Sequence, residues 1–169
     1  MRRIEVRLAT VDDAEIVGRL IDAMDAHYNG AGKTAGIAGA VAMARDAMAA
    51  REGTKFLVAE TEGKPVGLAC YVVIRPGRRH QGLVFLKDLF VVSDVRSLGV
   101  GRALMSWLAR FAIAEGIGRI DLTTDHANTR AQALYTSLGG VRREMLLYRF
   151  DGATLWSLAG SRDPGPDAG

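Results

Sequence analysis

Apolar and charged residues alternate in Ile4-Glu5-Val6-Arg7-Leu8, the period of a strand with one buried face. The period then lengthens. Ile16, Val17, Leu20, Ile21 and Met24 form one stripe at helical spacing, with Thr10 as the cap, Asp12 and Asp13 in the first turn, and His27-Tyr28-Asn29-Gly30 at the end. A glycine-punctuated stretch, 31–39, leads into a second helix through Val41, Met43, Ala44, Ala47 and Met48 that ends near Ala50. Gly36 and Gly39 would each cost about 1 kcal/mol inside a helix, so an irregular start is expected.

Two strand-like runs, 56–61 and 65–74, join as a hairpin at Glu62-Gly63-Lys64, and a polar connection, 75–82, leads to a third run, 83–92. Behind it come a glycine turn and a helix over 100–115 with Leu104, Met105, Leu108, Phe111 and Ala112 on one face, stopped by Gly116 and Gly118. A strand over 120–123, a helix over 128–138 ended by Gly139-Gly140, and a final strand over 141–150 complete the pattern. A short apolar turn at Leu155-Trp156 and a disordered tail from Ser161 are expected beyond it. The order β-α-α-β-β-β-α-β-α-β predicts one α+β domain over residues 1–152, followed by a C-terminal turn and tail over 153–169. Its sheet should be mixed and mostly antiparallel, flanked by helices, and parallel near the glycine turn.

That turn, Arg96-Ser97-Leu98-Gly99-Val100-Gly101, spells R-x-x-G-x-G between a strand and a helix. Glycines there let backbone N–H groups approach an anion while the helix N-terminus adds its dipole, so a phosphate is the natural guest. The same glycines also serve as an ordinary turn and cap. The spacing is not that of a dinucleotide fingerprint, and Arg102-Ala103 stand where a Walker motif has Lys-Ser/Thr.

Composition narrows the classes. With 169 residues and 49% hydrophobic content the chain suits one domain with a real core. A net charge of +3 suits an anionic cofactor but falls short of a nucleic-acid footprint. One cysteine, Cys70, inside an apolar run, excludes an internal disulfide framework and reads as a buried small hydrophobe. Three scattered histidines make no metal site, and no signal-like or membrane-spanning run is present, so a cytoplasmic protein is expected.

These residues resemble the GCN5-related N-acetyltransferase (GNAT) superfamily, which moves an acetyl group from acetyl-CoA to an amine. Four pieces carry the likeness: the R-x-x-G-x-G turn, the strand Leu86-Lys87-Asp88-Leu89-Phe90-Val91, the helix Asn128-Thr129-Arg130-Ala131-Gln132-Ala133-Leu134-Tyr135, and Leu138-Gly139-Gly140 before the last strand. Within the superfamily, the strand with Val92 to Arg96 and the helix ending Ala26-His27-Tyr28 look most like the diamine acetyltransferases. That branch usually carries Glu-Asp where this chain has Lys87-Asp88, which disfavours a long polyamine. The ending around Tyr135 and Arg142-Arg143-Glu144 is similar to aminoglycoside 3-N-acetyltransferases, which leaves an aminosugar acceptor open.

The resemblance implies the GNAT acyltransferase fold, acetyl-CoA as cofactor, a small primary amine as acceptor, and a homodimer, with Met145, Leu146 and Leu147 as exposed-looking apolar residues of the last strand. Neither a nucleic acid nor a membrane is expected as partner. It assigns the pyrophosphate to Arg96, Ser97, Leu98, Gly99, Val100, Gly101 and Arg102. Pantetheine falls to Leu89, Phe90, Val91 and Val92, with a main-chain N–H near Val91 or Val92 on the thioester oxygen. Asn128, Ala131, Leu134 and Tyr135 complete the coenzyme side, Tyr135 as the general acid for the departing thiolate. Asn128 is also a fitting N-cap and Tyr135 a fitting core tyrosine. Asp88, the lone carboxylate of an apolar strand, is the candidate base or the orienter of a water, or else a salt-bridged strand residue. Asp25, His27, Tyr28, Lys87 and Asp88 fall on the acceptor side, with His80 in the connection before the strand. A protein lysine or N-terminal acetyltransferase shares every coenzyme residue with this reading, and a non-catalytic acetyl-CoA sensor is the other class it leaves.

Overall fold

The computed structural model describes residues 3–30, 32, 34, 36–50, 53–75 and 82–161. Five strands, β1 (Ile4–Leu8), β2 (Lys55–Thr61), β3 (Lys64–Ile74), β4 (Leu83–Val91) and β5 (Ile120–Leu122), make one sheet in chain order. All neighbours are antiparallel except β4 and β5, which run parallel. Helices α1 (Ala14–Asn29) and α2 (Ile37–Ala49) cover one face, α3 (Val100–Ala114) covers the other, and α4 (Thr129–Ser137) and α5 (Gly152–Leu158) follow β5.

The central strands are buried on both faces, which is why they read as continuous apolar runs. Phe56, Val58, Leu68, Cys70 and Phe90 join Val17, Leu20 and Ala44 in the core under α1 and α2. Their strand neighbours Leu57, Ala59, Ala69 and Tyr71 turn the other way, onto Leu104 and Leu108 of α3. Gly67 lets α3 approach, because a Cβ there would stand 2.8 Å from Val100 Cγ1. Among the described residues no helix is long and apolar enough to cross a membrane.

The structure corrects the sequence reading at four places. Thr10 caps a 3-10 turn, Val11–Asp13, and α1 begins only at Ala14. Gly36 stays outside α2 as its N-cap, so only Gly39 sits within the helix. Leu155 and Trp156 lie in a helix rather than a turn. Most consequential, residues 141–150 form no strand and are exposed throughout. An extended segment becomes a strand only against a ladder partner, and this one meets none within the described residues. Residues 76–81, including His80, and the tail 162–169 lie outside the described residues.

The 3-10 turn carries an ion pair that ties β1 to α1. Arg7 donates to both Asp13 carboxylate oxygens at 2.8 Å, and Thr10 N–H donates to Oδ2 at 2.8 Å. The Arg7 hydrogen bonds dominate over the opposing effect of burial and hold the Asp13 carboxyl at about 2. A carboxyl with a lowered folded pKa stabilises the fold above its unfolded value and loses that contribution as pH falls through the folded one. Asp13→Asn should therefore cost about 2 kcal/mol in urea melts at pH 7, and should flatten the stability loss of the parent protein between pH 4 and pH 2.

Candidate active site

The cleft exists because β5 is short. Its last residue, Leu122, pairs with Leu86, while β4 runs on to Val91 with no strand among the described residues paired to its outer edge. Main-chain direction there follows from the ladder with β3. Val92 donates its N–H to Val66 O at 3.0 Å, and Phe90 and Asp88 pair with Leu68 and Cys70. Alternation then turns Phe90 and Asp88 toward β3, and the N–H groups of Leu89 and Val91 toward the open side. Of the two expected donors, Val92 N–H is thereby already paired, and Val91 N–H faces the open side. Phe90 contributes no side chain to the cleft, because its ring is buried in the core under α1.

Between Cys70–Asp88 and Tyr71–Leu86 the register skips Lys87, which is a β-bulge. Neighbouring strand residues ordinarily point to opposite faces, yet here Lys87 Nζ reaches Asp88 Oδ2 at 2.7 Å and both line the same cavity. That cavity, of about 190 Å3, is walled by Leu86, Lys87, Asp88 and Leu89 of β4, Thr123, Thr124 and Asp125 beyond β5, Asn128, Ala131 and Tyr135 of α4, and Met24 and Tyr28 of α1. Of the expected acceptor residues, Tyr28, Lys87 and Asp88 meet there. Asp25 does not, and its carboxylate accepts a hydrogen bond from Asn29. His27 also stays out, its ring against Tyr28 and Phe90.

Burial and hydrogen bonding shift three groups in or beneath the cavity. Burial first, and then the neighbouring Tyr28, raise the Tyr135 phenol above its ordinary value, so it keeps its proton through the neutral range. The hydrogen bond to Asp88 raises Lys87. Beneath them, burial and then the Asp88 charge push the Cys70 thiol up to about 12, which makes it an inert core residue.

The glycine turn follows β4 and lies outside the lining of this cavity. Gly99 caps α3 with φ 92, and the first amide bonded within the helix is Ala103 N–H, to Gly99 O at 2.9 Å. The N–H groups of Val100, Gly101 and Arg102 precede that bond and have no intrahelical acceptor. Two side chains brace the turn. Arg96 Nε donates to Val91 O at 2.9 Å with its guanidinium over the Phe90 ring, and Arg130 donates to Ser97 Oγ at 2.9 Å, tying α4 to the turn. Gly101 also lies under Leu134, whose Cδ2 would stand 2.9 Å from a Cβ. Leu98 and Arg102 are exposed. Asn128 Oδ1 accepts from Ala131 N–H at 3.1 Å, so its N-cap role is filled.

Sequence reasoning missed Met24, Leu86 and the segment Thr123-Thr124-Asp125. Asp125 is a second carboxylate in the cavity wall, with Oδ1 accepting Ala127 N–H at 2.8 Å. Its position just past the carboxyl end of a parallel strand was the available signal.

Residues 22–139 match the family model for the acetyltransferase (GNAT) family. The chain belongs to that family. Its members use acetyl-CoA as the acetyl donor to amines. Over 97 residues, 57% of this chain, it is 33% identical to the D-amino-acid N-acetyltransferase HPA3 of Saccharomyces cerevisiae, and the match spans 60% of that protein's length. An integron cassette protein from the mobile metagenome of V. cholerae superposes with a TM-score of 0.84 at 30% identity, covering 94% of this chain and 98% of that one. The aminoglycoside N-acetyltransferase AAC(6')-Iy in complex with CoA shares the fold at 18% identity, with a TM-score of 0.72 over 89% of this chain and 96% of that one.

Proposed function

We propose that this GNAT chain is an acetyl-CoA-dependent N-acetyltransferase acting on a small primary amine. The carrying observation is the convergence of a protonated phenol, Tyr135, and a carboxylate, Asp88, in one cavity at the open edge of β4. Behind them, the free amides at the start of α3 suit a pyrophosphate and the outward N–H groups of Leu89 and Val91 suit pantetheine. The amine nitrogen attacks the thioester carbon after Asp88, directly or through a water, takes its proton. Val91 N–H supports the oxyanion; the C–S bond then breaks, the thiolate takes the Tyr135 proton, and the acylated nitrogen gives its remaining extra proton to the tyrosinate, directly or through a water.

A cavity of about 190 Å3 suits a compact acceptor better than a polypeptide. Lys87 refines the class, because its ammonium repels a second cationic arm and would attract a carboxylate beside the reacting amine. An amino acid is therefore the second reading, next to a monoamine or aminosugar, and the yeast relative bears that activity in its name.

Release of free thiol from acetyl-CoA, compared across monoamines, diamines, aminoglycosides, amino acids and peptides, tests this. A small amine or amino acid should be turned over fastest, and turnover of peptides alone would overturn the acceptor class. Acetyl-CoA should also raise the melting temperature by mass action. Gly101→Asp places a negative charge at the free amides and should weaken acetyl-CoA binding by about ten-fold or more, with circular dichroism checking that the variant folds once Leu134 has shifted from the new Cβ. Unchanged affinity in that variant would remove the turn as the phosphate site.

A further inference from the structure

Lys87 carries a primary amine into the cavity that an acceptor amine would occupy. In a regular strand, alternation would turn this side chain to the face of the sheet opposite Asp88. The bulge prevents that. Because the register with β3 passes from Asp88 directly to Leu86, Lys87 has no partner on β3, and its Nζ lies 2.7 Å from Asp88 Oδ2.

The amine is also free to move. The Lys87 side chain is 65% exposed and that of Asp88 26%, so the ion pair is open to water, contributes little to stability and parts readily. Its stem is long and flexible, and the Tyr135 phenol stands in the wall of the same cavity of about 190 Å3. Lys55 and Lys64, the other described lysines, lie on β2 and β3 and take no part in that lining. Among the described lysines, Lys87 alone therefore shares a cavity with a carboxylate in contact with its ammonium and with a phenol that can protonate a thiolate.

We propose that Lys87 is a self-acetylation site, its own amine taking the acetyl group from acetyl-CoA when no acceptor fills the cavity. This rests on the acetyltransferase reading of the site. Asp88 accepts one proton from the Lys87 ammonium, and the neutral Nζ attacks the thioester carbon. The N–C bond forms, the C–S bond breaks, and the thiolate leaves with the Tyr135 proton. Nitrogen then returns its second surplus proton to Tyr135. The products are an N-acetyl-lysine, the free thiol of CoA and one proton passed from Asp88 to water. Residence in the cavity replaces the encounter that a free acceptor needs.

Acetylation removes the ammonium, and the ion pair with it. Asp88 is then open to an incoming cation, and the charge that repels a second cationic arm is gone. The modified chain should thus accept diamines better than the unmodified one.

Intact-mass measurement of the full chain incubated with acetyl-CoA alone should show one added acetyl group, and peptide mapping should place it on Lys87. Lys87→Arg keeps the charge without a primary amine and should abolish the addition. Asp88→Asn and Tyr135→Phe, checked for folding by circular dichroism, should slow it by about ten-fold or more. The rate per chain should not change with protein concentration. Acetyl groups spread over Lys55, Lys64 and other surface amines, or a Lys87 rate that survives both substitutions, would show spontaneous acylation and overturn the proposal. Its failure is separable from that of the small-amine reading. Added amines turned over by a chain whose Lys87 stays unmodified would sink self-acetylation alone. An acetylated Lys87 in a chain that turns over no added amine would leave self-acetylation standing and remove the small-amine reading. Thiol release with putrescine should rise several-fold after preincubation with acetyl-CoA, and unchanged release from the acetylated chain would overturn the effect on acceptor choice.

Discussion

Tyr135→Phe lowers turnover by about 10²-fold or more while acetyl-CoA affinity stays within two-fold. The substitution keeps the half-buried ring on α4 and removes only the proton that a departing thiolate would take. Burial and the neighbouring Tyr28 raise this phenol above the ordinary tyrosine value, so the acid form persists as pH rises and its loss should fall above pH 10. A basic limb set by this group therefore lies beyond the usual tyrosine range in the parent enzyme and disappears in the variant. Single-turnover thiol release across pH checks both points. Normal turnover in Tyr135→Phe would return this residue to a packing role and leave the thiolate to find its proton elsewhere.

Asp88→Asn lowers kcat/KM for the acceptor by about 50-fold, through both a higher acceptor KM and a lower kcat, with the acetyl-CoA KM unchanged within a few-fold. Asp88 sits in the cavity wall with Lys87 Nζ already 2.7 Å from Oδ2, so an incoming ammonium competes with a resident one. Lys87→Glu removes that competitor and should shift preference toward diamines over monoamines. It should also slow any acceptor whose amine stands beside a carboxylate, because the lysine that would hold the carboxylate is gone. Asp125 shares the cavity wall, and Asp125→Asn provides the internal comparison. If Asp125→Asn rather than Asp88→Asn lowers acceptor kcat/KM, proton removal belongs to the segment after β5. If both variants leave acceptor kinetics untouched, the open edge of β4 does not define the acceptor site.

Local signals carried much of this molecule. Ile4–Leu8 forms a strand with the bounds its alternation predicts, and the stripe from Ile16 to Met24 packs α1 on the sheet. The R-x-x-G-x-G run lies at a strand-to-helix turn because Gly99 adopts φ 92, a backbone region that side chains disfavour. Such features depend on residues near one another in sequence, so period and turn chemistry reveal them. The 3-10 start of α1 was less legible, because Arg7 draws Asp13 back toward β1 from outside the helix.

By itself, then, the sequence determined the order and type of the elements up to α4 and the glycine turn between β4 and α3, all of which follow from spacing along one chain. Only the tertiary structure decided the rest. The skipped register at Lys87 brings it beside Asp88 in one cavity, although adjacent strand residues normally part. The early end of β5 turns the N–H groups of Leu89 and Val91 to a cleft, and the Val66 pairing withdraws Val92 from it. Residues 141–150 are expected as a strand and yet form none, because a strand is completed by the hydrogen bonds of a neighbour, and this segment meets none among the described residues.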